Sequence, residues 1–303
     1  MVRNFLFHRV SPERDPLWDP MDPVLFEKCL RYISERFELI TIEDIPHTQL
    51  SERHATISFD DGYKDNIVHA LPILEKYKIK ASFYVVTDCV NKQLPVWTYH
   101  LDYLFKHTRR KELDMHFGFL PEALRVKELP DAAQRIRYIR KLKPFLKSVT
   151  HEQCLQVISH VSAMYHDVTL PELMMSREDL KLLQSLGHTI GSHTVSHPLL
   201  ATMTDENELR KEIQNSREEL FRLLGSYPLT ISYPAGSYNA KVVELSRESG
   251  YQLGLTVKQD VYDPRRDHLF EIPRIELYNE AWWKTRLRIT TSLEQIKKVL
   301  RYR

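Results

Sequence analysis

Two adjacent carboxylates and two histidines four residues apart are the groups in this sequence whose types and spacing could do chemistry. Asp60 and Asp61 close a β-type run, Ala55 to Phe59, and lead into Gly62 and Tyr63. Neighbouring acids are poor strand formers and repel each other, so the pair calls for a bound cation or a nearby Arg. The plainer reading is a solvated strand-to-helix turn with Asp61 and Gly62 as its turn residues. His193 and His197 follow a second predicted strand, and on a helical turn their imidazoles would project to the same side. Taken alone, that spacing fits a structural pair of surface histidines equally well. Two imidazoles and one carboxylate, however, make the three-ligand shell of a catalytic divalent site, with a position left open for water. Both motifs sit where parallel sheets and barrels carry their chemistry, at the C-terminal ends of strands, and so they share a rim.

The elements that must position these groups alternate along most of the chain. Residues 4–10 read as a short buried strand with His8 near its end, followed by a polar, Pro-rich loop. Apolar residues at helical spacing give a helix from Leu25 to about Phe37; a strand from Glu38 to Ile42 precedes the Asp-Asp strand. Ile67 to Tyr77 reads as helix, with Pro72 tolerated only near a first turn or a kink. Ala81 to Thr87 is a strand rich in aromatic and β-branched residues. Alternation resumes with a helix from Arg177 to Leu186 and a strand from Thr189 to His193. Next come a helix capped by Thr204 and running to Leu224, and a strand from Leu229 to Tyr233. A helix from about Ala240 to Ser249 and strands at Leu253–Val257 and Glu271–Leu277 complete the pattern. Gly187, Gly225 and Gly250 fall just past the three helix ends, where left-handed backbone is wanted. His188 is a strand-start residue rather than a ligand.

Residues 90–175 interrupt this rhythm with helical patterns at Leu101–Phe105, Ala132–Leu146 and Glu152–Tyr165, and hold no clear strand. They are read as a helical insertion in a single domain spanning 1–303. Arg135, Arg137, Arg140, Lys141, Lys143 and Lys147 make its middle helix basic. A solvated face is the simplest account, with weak contact to an anionic membrane surface or an anionic substrate as the alternative. Trp97, Tyr99 and His100 stand at its entrance and are candidates to line a sugar-binding mouth, with packing as the alternative. A basic helical tail is expected from Ser292.

The bulk numbers bound the answer. A chain of 303 residues, 42% apolar and 28% charged, can bury the core of one α/β barrel with an insertion. A net charge of +2 implies no global field for nucleic acid. No apolar run approaches the length of a membrane span, and early charges such as Arg3, Arg9 and Arg14 do not suit a secretory signal. The chain as given is therefore expected in the cytoplasm. Cys29, Cys89 and Cys154, odd in number and scattered, are expected to be core residues rather than a disulfide scaffold.

Ser58-Phe59-Asp60-Asp61-Gly62 and His193-Thr-Val-Ser-His197 resemble the first two signature motifs of the polysaccharide deacetylases, the NodB-homology group. Ser232-Tyr233-Pro234-Ala235-Gly236 is similar to the third, and Pro273-Arg274-Ile275 to the late strand whose Arg steadies the catalytic Asp. The usual C-terminal Leu-x-His is absent, whereas Leu6-Phe7-His8 matches it at the front, which resembles circularly permuted members. The resemblance covers residues 4–88 and 176–278. It implies an α/β fold, a distorted (β/α) barrel of about seven strands, and a metal-dependent amidase. Asp61, His193 and His197 would bind a divalent metal, Zn²⁺; Asp60 would be the general base and His8 the acid that protonates the departing amine. Arg274 would keep Asp60 ionised, and the backbone of the Tyr233–Gly236 turn, at Ala235, would hold the oxyanion. Tyr233, Pro234 and Trp97 are expected to contact the substrate.

Elementary chemistry supports this division of labour. A cation on one carboxylate of the pair frees the other to act as a base instead of sharing a proton. Amide cleavage also requires an acid on the far side of the scissile bond, a task His suits near neutral pH. His8 as a satisfied core histidine and Arg274 as a partner of Glu276 or Glu271 are the structural alternatives. The sequence departs from the family pattern at Ser232, where many members have Arg, and at Ala235, where an aromatic is usual; it names no carboxylate partner for His8. An N-acetylated sugar in a polysaccharide or glycan precursor is the expected substrate. A small non-sugar amide and a catalytically silent carbohydrate-binding module are the competing readings.

Overall fold

The computed structural model describes residues 1–291. The basic tail expected from Ser292 lies outside the described residues. The strands are β1 (Val2–Phe7), β2 (Glu38–Leu39), β3 (His54–Phe59), β4 (Ser82–Val85), β5 (Glu112–Asp114), β6 (Val126–Glu128), β7 (Thr189–Ser192), β8 (Thr230–Ser232), β9 (Leu253–Leu255) and β10 (Ile275–Glu276). Eight of them form one parallel sheet in the order β10-β1-β3-β4-β7-β8-β9, with β2 also paired to β3. Just before β10, Ile272 pairs with Leu255 of β9, and the Arg274 N–H donates to Lys258 O at 3.0 Å. The chain segment that carries β10 thus touches both ends of the sheet order and curls it into a distorted barrel.

Parallel strands covered on both faces read as continuous buried runs rather than alternating ones. Every residue of β3 is buried, and Phe59 stacks on Phe83 of β4 at a centroid distance of 4.8 Å. Helices α1 (Pro23–Ser34), α2 (Leu71–Lys76), α3 (Thr87–Lys92), α4 (Trp97–His107), α5 (Glu122–Arg125), α6 (Ala132–Leu146), α7 (His151–Met164), α8 (Arg177–Ser185), α9 (Glu206–Leu224), α10 (Ala240–Glu248) and α11 (Trp282–Thr290) complete the described fold. Among the described residues no helix is long and apolar enough to cross a membrane. The three cysteines are buried and unpaired.

Several local expectations change. Asp205, not Thr204, caps α9: its carboxylate accepts from Asn207 N and Glu208 N, while Thr204 lies one residue outside the cap. The predicted helix over 67–77 is two pieces, a π-type turn at Asn66–Ala70 and then α2 with Pro72 in its first turn, where a missing N–H costs nothing. Strands shrink at the edges, to two residues for β2 and β10.

The insertion is not wholly helical. β5 and β6 pair antiparallel between α4 and α6. Each is three residues long and only Leu113 is buried, so no period-2 pattern marks them. Leu101, Phe105, Ile139, Leu142, Val157 and Val161 form a separate apolar cluster under α4, α6 and α7. The return from the insertion ties back to the barrel rim: Met175 N donates to Gly62 O at 2.9 Å, and Lys64 N to Leu173 O at 2.7 Å.

Candidate active site

Three strand ends and one loop converge on a cavity of about 330 Å³ lined by Asp60, Asp61, His193, His197, His8 and Ala235 among others. β3 ends at Phe59, so Asp60 and Asp61 leave the sheet at its C-terminal rim. Asp61 (φ 74°) and Gly62 (φ 81°) are both left-handed. Two successive left-handed residues turn the chain sharply; Asp tolerates that backbone and Gly accepts it freely. The turn sends the two neighbouring carboxylates to different partners.

Asp60 is almost fully buried and faces Arg274, which is wholly buried. The guanidinium donates Nη1–H to Oδ1 and Nη2–H to Oδ2, both at 2.7 Å. The same Nη2 reaches Ser232 Oγ at 2.7 Å, and Ser232 Oγ donates to Asp60 Oδ2 at 3.0 Å. Arg274 Nε donates to Thr256 O at 2.9 Å, which completes its fork. Arg274 therefore pairs with Asp60 and with neither Glu271 nor Glu276. Burial alone would raise the Asp60 carboxyl, but the charges of Arg274 and His193 hold it below the usual carboxylate value. A carboxylate has about four acceptor positions; with three taken, one position on Oδ1 remains for a further donor. Ser232, a departure from the family pattern in the sequence, is the third member of this buried network.

Asp61 turns to the histidines. Its Oδ1 lies 3.4 Å from His193 Nε2 and 3.4 Å from His197 Nε2, and the three candidate ligand atoms lie within 4.8 Å of one another. Zn–N and Zn–O bonds near 2.0–2.1 Å at tetrahedral angles put ligand atoms about 3.4 Å apart, so both edges measured here have the length a zinc ion needs. His193 Nδ1 lies 2.7 Å from Ser232 O, which fixes the tautomer that presents a bare Nε2. His197 Nδ1 has no hydrogen-bond partner among the described residues. Burial raises the Asp61 carboxyl, but the two imidazoles beside it outweigh that and hold it well below its ordinary value.

The histidines do not sit on a helical turn. They flank a loop after β7 in which Thr194 (φ 68°) and His197 (φ 64°) are left-handed. A carboxylate on α9 holds this loop: Glu212 Oε2 accepts from Val195 N at 3.0 Å and Ser196 N at 2.9 Å, and Oε1 from Ser196 Oγ at 2.6 Å. Burial raises the Glu212 carboxyl, partly offset by those donors. Gly191 lets β7 lie close to Tyr84, whose ring occupies the space a Cβ would take.

His8 follows β1 and is partly exposed to the cavity, so it is not a core histidine. Its Nδ1 lies 3.3 Å from Glu276 Oε1, and its ring meets Trp18 edge-on at 5.1 Å. The β1–β10 register, with Leu6 opposite Glu276, brings that carboxylate alongside. Glu276 is the partner the sequence did not name.

Ala235 lines the cavity with a left-handed backbone (φ 51°), and its N–H makes no hydrogen bond among the described residues. Trp97 also lines it, at the first turn of α4. Tyr233 and Pro234 do not: both are buried, and Tyr233 packs with Leu200, Val242 and Phe270, its ring stacked on Tyr238 at 5.2 Å. Their apolar bulk has a core to fill behind the turn, so only Ala235 of that turn reaches the cavity. Tyr99 is likewise a packing residue, buried under Arg9 and edge-on to Tyr63. His188 accepts from Ala81 N through Nδ1, away from the cavity. The sequence reading missed Trp18 and Asp102, and it placed Lys143 and Lys147 on a basic helix face with contact to an anionic substrate only as the alternative; all four line the same cavity.

The family model for polysaccharide deacetylases matches residues 47–254. The chain belongs to the polysaccharide deacetylase family. His8, Arg274 and Glu276 lie outside the matched span. Among curated proteins, the chain is 22% identical over 208 residues to the Bacillus subtilis protein YxkH, covering 69% of this chain and 46% of that one. It is 35% identical over 74 residues to the peptidoglycan-N-acetylglucosamine deacetylase of Bacillus cereus, 24% of this chain and 26% of that one. The chain thus spans less than half the length of these curated relatives. Its fold is shared with Streptococcus pyogenes deacetylase PplD, solved in complex with acetate (TM-score 0.62, 17% identity, 96% of this chain and 98% of that one). IcaB from Ammonifex degensii has the same fold (TM-score 0.61, 16% identity, 96% and 97% of the two chains).

Proposed function

We propose that this protein hydrolyses the N-acetyl group of a sugar in a polysaccharide or glycan precursor, in a metal-dependent amidase reaction. The observation that carries the proposal is the separation of two adjacent carboxylates into two environments, Asp61 with two imidazoles and Asp60 with a guanidinium. Asp61, His193 and His197 would hold the divalent ion. When bound, Zn²⁺ lowers the pKa of water and polarises the acetamide carbonyl.

The chain's own groups carry the proton inventory. Asp60, kept ionised and oriented by Arg274 and Ser232, accepts the proton of the attacking water at its unused Oδ1 position. The N–H of Ala235 donates to the carbonyl oxygen as negative charge develops there. His8 presents Nδ1 to Glu276, so Nε2 is left to protonate the departing amine. Water and amide become acetate and a free amine, and each proton has a named acceptor or donor. The test is acetate release from a panel of N-acetylated sugars by metal-stripped protein, with and without added Zn²⁺. Metal-dependent release is expected; silence across the panel with metal bound would move the reading to a small-amide substrate or a binding role.

A further inference from the structure

The helical insertion does more than shield the cavity: its second long helix presents charge to it. Lys143 and Lys147 are one turn apart on the same face of α6, with Lys147 at the C-cap, and both line the cavity that contains Asp61 and His8. Three carboxylates of that cavity have partners in the barrel. Asp60 is held by Arg274, Asp61 by two imidazoles, and Glu276 stands beside His8. The fourth, Asp102 on α4, is only 2% exposed and takes Lys143 Nζ on Oδ2 at 2.5 Å. Lys147 is exposed and forms no salt bridge among the described residues. Asp102 Oδ1 is buried and lacks any hydrogen-bond partner among them. Lys147 therefore stands on the insertion side of the cavity with no carboxylate in salt-bridge contact; desolvation in the cavity and the like charge of Lys143 lower its pKa, against the longer-range attraction of Asp102, Asp61 and Glu276.

We propose that Lys147 binds an anionic substituent, a phosphate or a carboxylate, carried by the N-acetylated sugar, with the Asp102–Lys143 ion pair forming the wall beside it. This rests on the deacetylase reading of the same site and narrows its substrate to charged glycans. An ammonium is a compact point charge suited to a phosphate or carboxylate oxygen. The helix C-terminus tolerates a cation there before substrate arrives. The Asp102–Lys143 ion pair engages Asp102, so that carboxylate acts on Lys147 only at longer range, without a salt bridge. An apolar or neutral substrate would leave Lys147 without a counter-ion in contact.

The experiment is calorimetric titration of the zinc-loaded full chain, carrying Asp60→Asn to prevent turnover, with three probes. They are N-acetylglucosamine, its 1-phosphate and the carboxylate-bearing N-acetylmuramic acid. At least one charged sugar is expected to bind more tightly than the neutral one by about tenfold, the size of one charge-assisted hydrogen bond. That preference is expected to vanish in Lys147→Ala, persist in Lys147→Arg and shrink with added salt. The probe that gains identifies whether phosphate or carboxylate is the ligand. Equal binding of all three sugars would overturn the proposal. So would a preference that survives in Lys147→Ala, because the anion would then sit on the metal. Acetate release by the wild-type chain, measured separately, tests the deacetylase reading without reference to Lys147.

Discussion

Replacing Arg274 with Met removes the counter-ion of a buried carboxylate while keeping a long apolar stem. Asp60 is 2% exposed and Arg274 is wholly buried, so water cannot take the place of the guanidinium. Two charge-assisted bonds of 2.7 Å are lost, and Ser232 Oγ loses its donor. Hydrogen bonds to charged groups are worth about 1.5–3 kcal/mol each, and breaking a buried ion pair from one side costs about 3–5 kcal/mol. The two routes agree on a destabilisation of roughly 3–5 kcal/mol for Arg274→Met. Much of that is the penalty of the stranded carboxylate. The double variant Asp60→Asn with Arg274→Met should therefore be more stable than Arg274→Met alone. The assay is urea unfolding of chelator-treated protein, so that metal binding does not enter the balance. Additive single effects, or a cost for Arg274→Met below about 1 kcal/mol, would refute the reasoning.

Three further outcomes follow from the geometry. Glu276→Gln should lower kcat about tenfold or more while leaving zinc affinity unchanged, since it acts through His8; equal zinc loss would place its role elsewhere. Glu212→Ala frees two backbone donors and a hydroxyl of the histidine loop, and should weaken zinc binding about 10- to 100-fold by direct titration; unchanged affinity would mean the loop is held by other contacts. Gly191→Ala forces a methyl into the space of the Tyr84 ring and should cost about 1–3 kcal/mol of stability by urea unfolding, a loss that a neutral result would contradict.

The sequence carried the parts of this site that are local. Asp60-Asp61-Gly62 and His193-x-x-x-His197 are short motifs at strand ends, and a short motif needs no knowledge of the fold to be noticed. Their backbone was harder to read: Asp and His only tolerate the left-handed conformation of Asp61 and His197, Thr194 gives no sign of it, and the histidine spacing suggested a helical turn where a clamped loop exists. Long-range partners were the least legible. Glu276 meets His8 only because β10 lies beside β1, and a two-residue strand leaves no trace of its register in the sequence. Tyr233 and Pro234 were expected at the substrate because they flank Ala235, yet the same turn has a buried side and an open side. Lys143 and Lys147 read as part of a basic solvated face; which side of α6 meets the cavity depends on how α6 packs on α4, and Asp102 on α4 is where that packing shows.

The central claim is that Asp61 holds the metal while its neighbour Asp60 moves the proton. It is tested most directly by measuring metal content and acetate release together in the zinc-loaded wild type and in Asp60→Asn. Equal zinc in the two proteins is expected, with acetate release reduced by about 10²–10⁴ in Asp60→Asn, the usual contribution of a positioned general base. Loss of zinc along with activity, or activity retained in Asp60→Asn, would contradict it.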